Sequence, residues 1–417
     1  MKSRKVFSLL ERLGYRASNS IVALALAYIS GSHELGLYAF GSLALTLILS
    51  LTDSPLRQYI AGVTLSGFLP GKLIRRIIIF GFAGSSTLLL LISALSLAFS
   101  ETGISFLKLV PLVPVPLLTC FSMLYQAQFE AQGDWKKIFK IQAISVVAAT
   151  FVAIALLPHL GAGAANIQTL VAEIFFLAGV SRFKAISRSE NLSAVLDAPV
   201  STTMLSSLFG WLQGQSDRLV LGLVAGASQL GIYSLALSFT RTIGDAISSG
   251  INNNLRSEVM GRTSSEISKA AVKSAIKLGL RISIIQQLLL CSVVAPFVGL
   301  VFRDWNGVPQ LISLMSFGLV AGSLSWTLSN FLVISGFGKL LLPWQVAAVL
   351  MSLFGGVFLS ISLEWGYMSL LVRDLIILYS RVRISRSLGL KLDKATYRYI
   401  AASFSVSVIA TALIMIL

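Results

Sequence analysis

Residues 31–38 read GSHELGLY and residues 226–233 read GASQLGIY, so Gly31, Leu35, Gly36 and Tyr38 return 195 positions later as Gly226, Leu230, Gly231 and Tyr233. Each copy forms a short turn between two apolar runs and sits near the start of a set of six such runs. About 20 apolar residues cross the ~30 Å hydrocarbon layer as one helix. The first set falls near 14–31, 35–54, 77–99, 109–131, 138–158 and 161–180. The second falls near 201–225, 229–252, 280–302, 309–334, 341–362 and 365–381, and one more run covers 397–417. The spacing therefore predicts an all-α integral membrane chain of thirteen spans, two six-helix lobes plus one extra C-terminal helix. Six spans separate the copies, so both begin in the same orientation and the repeat is parallel, related by a pseudo-two-fold axis. FEAQG at 129–133 and FLVISG at 331–336 each end the fourth span of their set, and Glu173 and Asp374 stand in the two sixth spans.

Composition agrees with that count. Of 417 residues, 55% are hydrophobic and 12% charged, with a mean hydropathy of +0.84. A soluble chain carries nearer ~25% charged residues, so a water-soluble enzyme or regulator is excluded. The formal charge of +16 is explained by topology rather than by nucleic acid. With the N-terminus in the cytoplasm, 28 of the 33 Lys and Arg fall in inward segments, while only Lys108 and Arg303 lie in outward loops. Basic loops stay on the cytoplasmic side, so this division supports both the spans and the orientation. The N-terminal stretch MKSRKVFSLLERLGYRASNS lacks a signal-peptide cleavage pattern, and the first span is expected to act as its own insertion signal. Cys120 and Cys291 lie within apolar runs as small buried hydrophobes, without metal-ligand spacing. No cofactor or metal is expected.

The expected organisation is a first lobe over 1–180, a cytoplasmic linker over 181–200, a second lobe over 201–381, and a basic loop with the extra helix over 382–417. Two such lobes facing each other enclose a central cavity and work by alternating access. The outward loops GSHE, PHLGAG, AGASQ, RDWNG and LEWG are short. They leave no room for an extracytoplasmic catalytic domain, which argues against an oligosaccharide polymerase or ligase.

Charges inside the bilayer cost about 2.5–3.5 kcal/mol each on insertion scales, and so mark function or pairing. Asp217 and Arg218 lie in the seventh span. Arg241 and Asp245 lie four apart on one face of the eighth, near mid-membrane for the arginine, followed by Asn252, Asn253, Asn254 and Arg256 at its inner end. In the first lobe Asp53 and Arg57 are likewise four apart, and Arg57 holds the repeat position of Asn252. Arg373 and Asp374 are adjacent, which points them about 100° apart and disfavours mutual pairing. Arg241, Arg218, Arg57, Asn252, Asn254 and Arg256 are the candidate anion-binding groups. Asp217, Asp245, Asp53, Glu173 and Asp374 are the candidate ion-coupling or pairing groups. Trp211, Phe239, Tyr38 and Tyr233 are candidates to stack on sugar rings, though core packing is the commoner use of such aromatics. His33 and His159 have no partner for a metal site or proton relay.

The stretch 206–257 resembles the polysaccharide (O-antigen type, Wzx-like) flippases of the multidrug/oligosaccharidyl-lipid/polysaccharide (MOP) exporter superfamily. The likeness rests on Asp217-Arg218, LVLG at 219–222 and GIYSLA at 231–236, with GLYAF and the QAQFEAQGDWKK stretch (126–137) similar in the first lobe. The resemblance implies a MATE-like, V-shaped transporter moving an undecaprenyl-diphosphate-linked oligosaccharide from the cytoplasmic to the outer leaflet of the bacterial inner membrane. Its partners would be that lipid-linked substrate, membrane lipids, and the polymerase and glycosyltransferases of the same pathway. The count departs from the twelve or fourteen spans common in the superfamily. Arginine and asparagine suit a diphosphate through charge-assisted hydrogen bonds. No GxxxxGK[ST] loop is present, so ATP hydrolysis by this chain is not expected. A multidrug or cation antiporter of the superfamily would want acids with few bases in the cavity, and the first span has no acid between Tyr15 and His33. A lipid II flippase differs mainly in glycan and span number.

Overall fold

The computed structural model describes residues 2–63, 69–98, 105–132, 134–183, 188–189, 200–259, 265–302, 305, 307–334 and 337–416. Helix dominates them, because a backbone in hydrocarbon must satisfy its own hydrogen bonds. The α-helices are α1 (Lys2–Val63), α2 (Gly71–Ala98), α3 (Phe106–Leu109), α4 (Val115–Gln132), α5 (Trp135–Leu160), α6 (Ala162–Phe183) and α7 (Val200–Val259). They continue as α8 (Ser265–Leu289), α9 (Ala295–Val301), α10 (Val308–Ile334), α11 (Leu342–Ile361), α12 (Leu363–Ser387) and α13 (Lys394–Ile416). A two-residue parallel pairing joins Leu69–Pro70 to Arg188–Ser189.

Among the described residues nine helices are long and apolar enough to cross a membrane. Two of these, α1 and α7, each hold two of the expected spans, broken at Gly31 (φ 83°, ψ −178°) and Gly226 (φ 84°, ψ 178°). That backbone region is essentially restricted to glycine, which is why both copies of the repeat open on one. The last two expected spans coincide with α12 and α13. The nine include neither α13 nor α12, and every eighteen-residue window of α12 holds at least three charges.

The chain forms two compact units. The first comprises Met1–Leu212 with Gly226–Gly231. In it α1 packs on α2, α4, α5 and α6, and α4, α5 and α6 close on one another. Phe129, Ile138, Ile141, Phe176 and Val180 form an apolar core across the latter three helices. The opposite faces are apolar and open: Ile144, Val147, Phe151 and Ile154 follow helical spacing along α5, with Phe151 72% exposed. Large apolar side chains facing outward at this density identify a lipid-facing surface.

The turns at one end of this unit are tied by one carboxylate. Glu34 pairs with Lys108 and accepts the backbone N–H of Ala162 at 2.8 Å, while Asn166 Nδ2 donates to the Lys108 carbonyl at 2.8 Å. The two copies of the repeat also touch here, reciprocally. A Cβ on Gly36 would lie 1.7 Å from the Ala227 carbonyl oxygen, and one on Gly231 would lie 2.0 Å from that of Ser32. Residues 32 and 227 are themselves repeat equivalents, so the contact has local two-fold symmetry and demands glycine on both sides.

The second unit comprises Gln213–Ala225 and Ile232–Leu417. Its centre is α10, which packs on α8, α9, α12 and α13, while α11 lies along α12. A π-helical segment, Leu290–Val294, links α8 to α9. The additional helix α13 is built into this unit. Gln287 Nε2 donates to the Ser403 carbonyl at 2.7 Å and to Ser407 Oγ at 2.6 Å, Ser403 Oγ returns a bond to Gln287 Oε1 at 2.6 Å, and Phe404 meets Phe317 edge-on. Cys120 and Cys291 are both buried, the latter within hydrogen-bonding reach of Ser316.

Candidate functional site

The polar focus of the second unit is the stretch 213–218 of α7, just ahead of the break at Gly226. Asp217 is fully buried. Its Oδ2 accepts the Tyr233 hydroxyl at 2.8 Å, and its Oδ1 is buried with no hydrogen-bond partner among the described residues. The adjacent Arg218 turns to Gln215 Oε1 (3.0 Å) and Ser234 Oγ (3.1 Å). Arg241 is half-buried and donates from Nη1 to the Gly214 carbonyl at 3.3 Å. The Cβ that Gly214 lacks would meet no described residue within 4 Å, so among the described residues α7 is open beside that guanidinium.

From α12 comes Arg373, 3% exposed, and here the adjacency argument fails. Arg373 Nε donates to Asp374 Oδ1 at 2.8 Å, and Nη2 reaches the same oxygen at 2.7 Å. The Cα–Cβ vectors of neighbours do diverge on a helix, but an arginine side chain is long enough to fold back across that angle. Its remaining nitrogen Nη1 bonds Ser352 Oγ (2.6 Å) and the Gln213 carbonyl (3.1 Å), and Ser352 Oγ also donates to that carbonyl (3.0 Å). Arg373 thus pins α12 and α11 to α7. Tyr367 is buried beside the pair: a Cβ on Gly318 of α10 would lie 3.0 Å from its hydroxyl and 3.7 Å from Asp374 Oδ2. Asp217, Arg241, Arg373 and Asp374 act on one another and on the two tyrosines within one electrostatic neighbourhood. Two acids face two guanidiniums there, with Arg218 beside them as a third, and charge added to one member is felt by the rest.

Of the residues singled out in the sequence, Asp217, Arg218, Arg241 and Asp374 come together in this unit. Glu173 lies in the first unit, half-buried, where Ser122 Oγ donates to its Oε2 at 3.4 Å. Asp53, Arg57, Asp245, Asn252, Asn253, Asn254 and Arg256 lie on α1 and α7, with side chains outside the described residues, so the expected pairs Asp53–Arg57 and Arg241–Asp245 lie there too. Trp211 is nearly buried, with Nε1 donating to Thr46 Oγ1 at 3.1 Å, and Tyr233 is fully buried; both are packing and hydrogen-bonding residues rather than sugar platforms. Tyr367, Ser352 and Gln213 join the cluster without any sequence signal, since tyrosine, serine and glutamine are unremarkable within a span. Among the described residues no set of three His, Cys, Asp or Glu can hold a metal ion.

The repeat sharpens the picture. At the 195-residue offset Asp217 corresponds to Val22, Arg218 to Ala23 and Arg241 to Thr46. The first copy is therefore apolar or neutral where the second is charged.

Solved structures with this architecture are transporters. The eukaryotic MATE transporter AtDTX14 superposes with a TM-score of 0.65 at 13% identity, over 96% of this chain and 98% of that one. A MATE transporter in complex with MaD5 gives 0.64 at 16% identity, over 92% and 96%. A MOP superfamily transporter from Pyrococcus furiosus, described as having a binding pocket of reverse polarity, gives 0.56 at 14% identity, over 92% and 96%. The chain has the fold of these MATE-like structures and is a multi-pass membrane protein. Within it, residues 76–269 match the family model described as polysaccharide biosynthesis protein, and the resemblance to the polysaccharide members of the superfamily rests on both findings. No curated protein matches the chain.

Proposed function

We propose that the chain is a flippase for a lipid-linked oligosaccharide, carrying an undecaprenyl-diphosphate-linked surface-polysaccharide unit across the bacterial inner membrane by alternating access. The observation that carries this reading is the half-buried Arg241 beside the open backbone of Gly214, in a transporter fold whose residues 76–269 match a polysaccharide-biosynthesis family. A guanidinium offers a diphosphate charge and several donors, while the polyprenyl tail stays in lipid. Arg218 lies one helical pass away in the same cluster as a second cation, and Arg57, Asn252, Asn254 and Arg256 would receive the headgroup at the inner mouth. The N-terminus is cytoplasmic in this scheme, and glycosyltransferases and a polymerase act before and after the step.

The test is complementation of a strain lacking its own flippase. Arg241→Ala is expected to abolish surface glycan at unchanged expression, with Arg241→Lys intermediate if bidentate geometry matters. Full surface glycan in Arg241→Ala overturns the assignment. Multidrug antiport is the second reading, favoured by Asp217, whose unpartnered buried oxygen suits a proton or small cation. It predicts that the chain protects cells against cationic dyes and leaves surface glycan untouched.

A further inference from the structure

We propose that one end of the second unit, where the first turns of α8, the last turns of α12 and the first turns of α13 meet, is a docking surface for anionic phospholipid headgroups. The surface is separate from the charged cluster around Asp217 and serves whichever substrate is carried.

On α12 the exposed side chains of Trp365, Met368, Val372, Ile376 and Tyr379 fall within about 40° of one line along the helix, at 100° per residue. Arg383 and Arg386, both exposed, continue that same line. Trp365 and Tyr379 bracket the apolar part, some 21 Å apart at 1.5 Å per residue. Indole and phenol rings favour the two boundaries of the hydrocarbon layer, so the arginines emerge at the depth of the headgroups. The pattern returns on α8 in the reverse chain direction. Lys277 and Arg281 are exposed on the face that carries the exposed Ile285 and Leu288 one and two turns beyond Arg281. On α13 the exposed Lys394 and Arg398 share a face with Ile409, and Tyr397 and Tyr399 stand exposed beside Arg398.

Two contacts bring the three basic ends together. Lys277 Nζ pairs with Asp393 Oδ2 at 3.1 Å, and Lys269 Nζ would lie 3.0 Å from a Cβ on Gly389. Residues 269–281 and 383–398 hold nine lysines and arginines against one acid, Asp393. Lys277 takes that acid, and no other ion pair forms there among the described residues. The surplus of positive charge selects an anion, because basic groups clustered beside a bilayer draw anionic lipid towards them. The apolar rows select an anion that bears acyl chains, since they begin within a few turns of the bases and on the same faces. A soluble polyanion gains nothing from those rows. Charge and apolar surface thus point to one occupant, a phospholipid with a net negative headgroup.

The experiment uses the full chain reconstituted in phosphatidylcholine vesicles with a trace of spin-labelled phosphatidylglycerol or spin-labelled phosphatidylcholine. Electron paramagnetic resonance reads the lipid held at the protein surface. Wild type is expected to prefer phosphatidylglycerol by about threefold or more at low salt, each exposed charge contact being worth a factor of about 1.4 to 5. The preference should shrink towards one at 1 M salt, where charges are screened beyond about 3 Å. The triple variant Arg281→Gln, Arg383→Gln, Arg398→Gln removes one base from each helix and should lose most of it. A charge-matched triple on α5 of the first unit, Lys136→Gln, Lys137→Gln, Lys140→Gln, should keep most of it. Equal preference in wild type and the first triple, or an equal loss in both triples, would overturn the surface. Binding of soluble polyglutamate that depends on the same three arginines, with no preference among lipids, would assign the surface to an acidic protein and overturn the lipid. Should the first triple not fold, Arg383→Gln alone decides: a reduced preference supports the surface, and an unchanged one counts against it.

Discussion

Tyr233 donates its hydroxyl to Asp217 Oδ2 at 2.8 Å, and this bond crosses the break at Gly226, joining the two passes of α7. The tyrosine belongs to the repeated turn motif and the aspartate only to the second copy. The bond leaves Oδ1 free for a proton or small cation. Asp217→Asn retains an acceptor for Tyr233, so the fold is expected to persist while any proton or sodium dependence of transport disappears. Comparing surface glycan at two external pH values and with or without sodium checks this; an unchanged ion response in Asp217→Asn refutes the coupling role. Tyr233→Phe removes the bond and strands the carboxyl, at about 1–3 kcal/mol of stability, seen as a lower melting temperature of the purified chain.

Gly36 and Gly231 form one contact from two sides, so their substitutions are coupled. Alanine at either drives a methyl into a backbone carbonyl that cannot move away as a side chain would. Each single change is expected to cost about 3 kcal/mol, at the upper end of overpacking effects. The double variant should cost less than the sum, because one displacement relieves both clashes. Melting of the four proteins of this cycle gives the coupling directly, and strict additivity would deny that the two glycines share an interface.

Arg373 and Asp374 differ in how far they are enclosed, which gives their substitutions unequal outcomes. The carboxylate is 21% exposed at its side chain and the guanidinium 4%. Asp374→Asn leaves a buried cation, for which about 3–5 kcal/mol is the expected range. Arg373→Met leaves an acid that is less enclosed and can neutralise itself by taking a proton, and should be the milder of the two. Detergent melts rank them, and the opposite order would mean that the carboxylate is the member the interior cannot hold alone.

Gln287 tethers α13 through three hydrogen bonds at 2.6–2.7 Å, in surroundings where water cannot replace them. Gln287→Leu keeps the bulk and removes the bonds, so α13 should detach more readily at about the same total helicity. Limited proteolysis of the 388–393 connection should accelerate several-fold, while a reporter fused at residue 417 keeps its side of the membrane. An unchanged cleavage rate would show that packing such as Phe317 on Phe404 suffices.

Much of the fold was legible because hydrocarbon imposes a simple rule: apolar runs of the right length become helices, and basic loops flank them. The repeated GSHELGLY and GASQLGIY turns gave the two sets of passes, and their glycines are where the helix axes break. The parts of the site that escaped reading are those set by side-chain reach and tertiary approach. The distance from Gln213 to Ser352 and Arg373 is long in sequence, and no periodicity encodes it. The Arg373–Asp374 pair was misread because helical-wheel angles describe where a side chain starts and not where a flexible one ends. Tyr233 announced itself as part of the turn, yet its bond to Asp217 follows from the two passes lying side by side.

The duplication that supplied two sets of passes did not supply two sets of charges, since Val22, Ala23 and Thr46 stand where Asp217, Arg218 and Arg241 do in the second copy. If Asp217 carries the coupling, this carboxyl and its neighbours give each molecule a single loading position of this kind. The stoichiometry through that position is then one proton or monovalent cation per turnover.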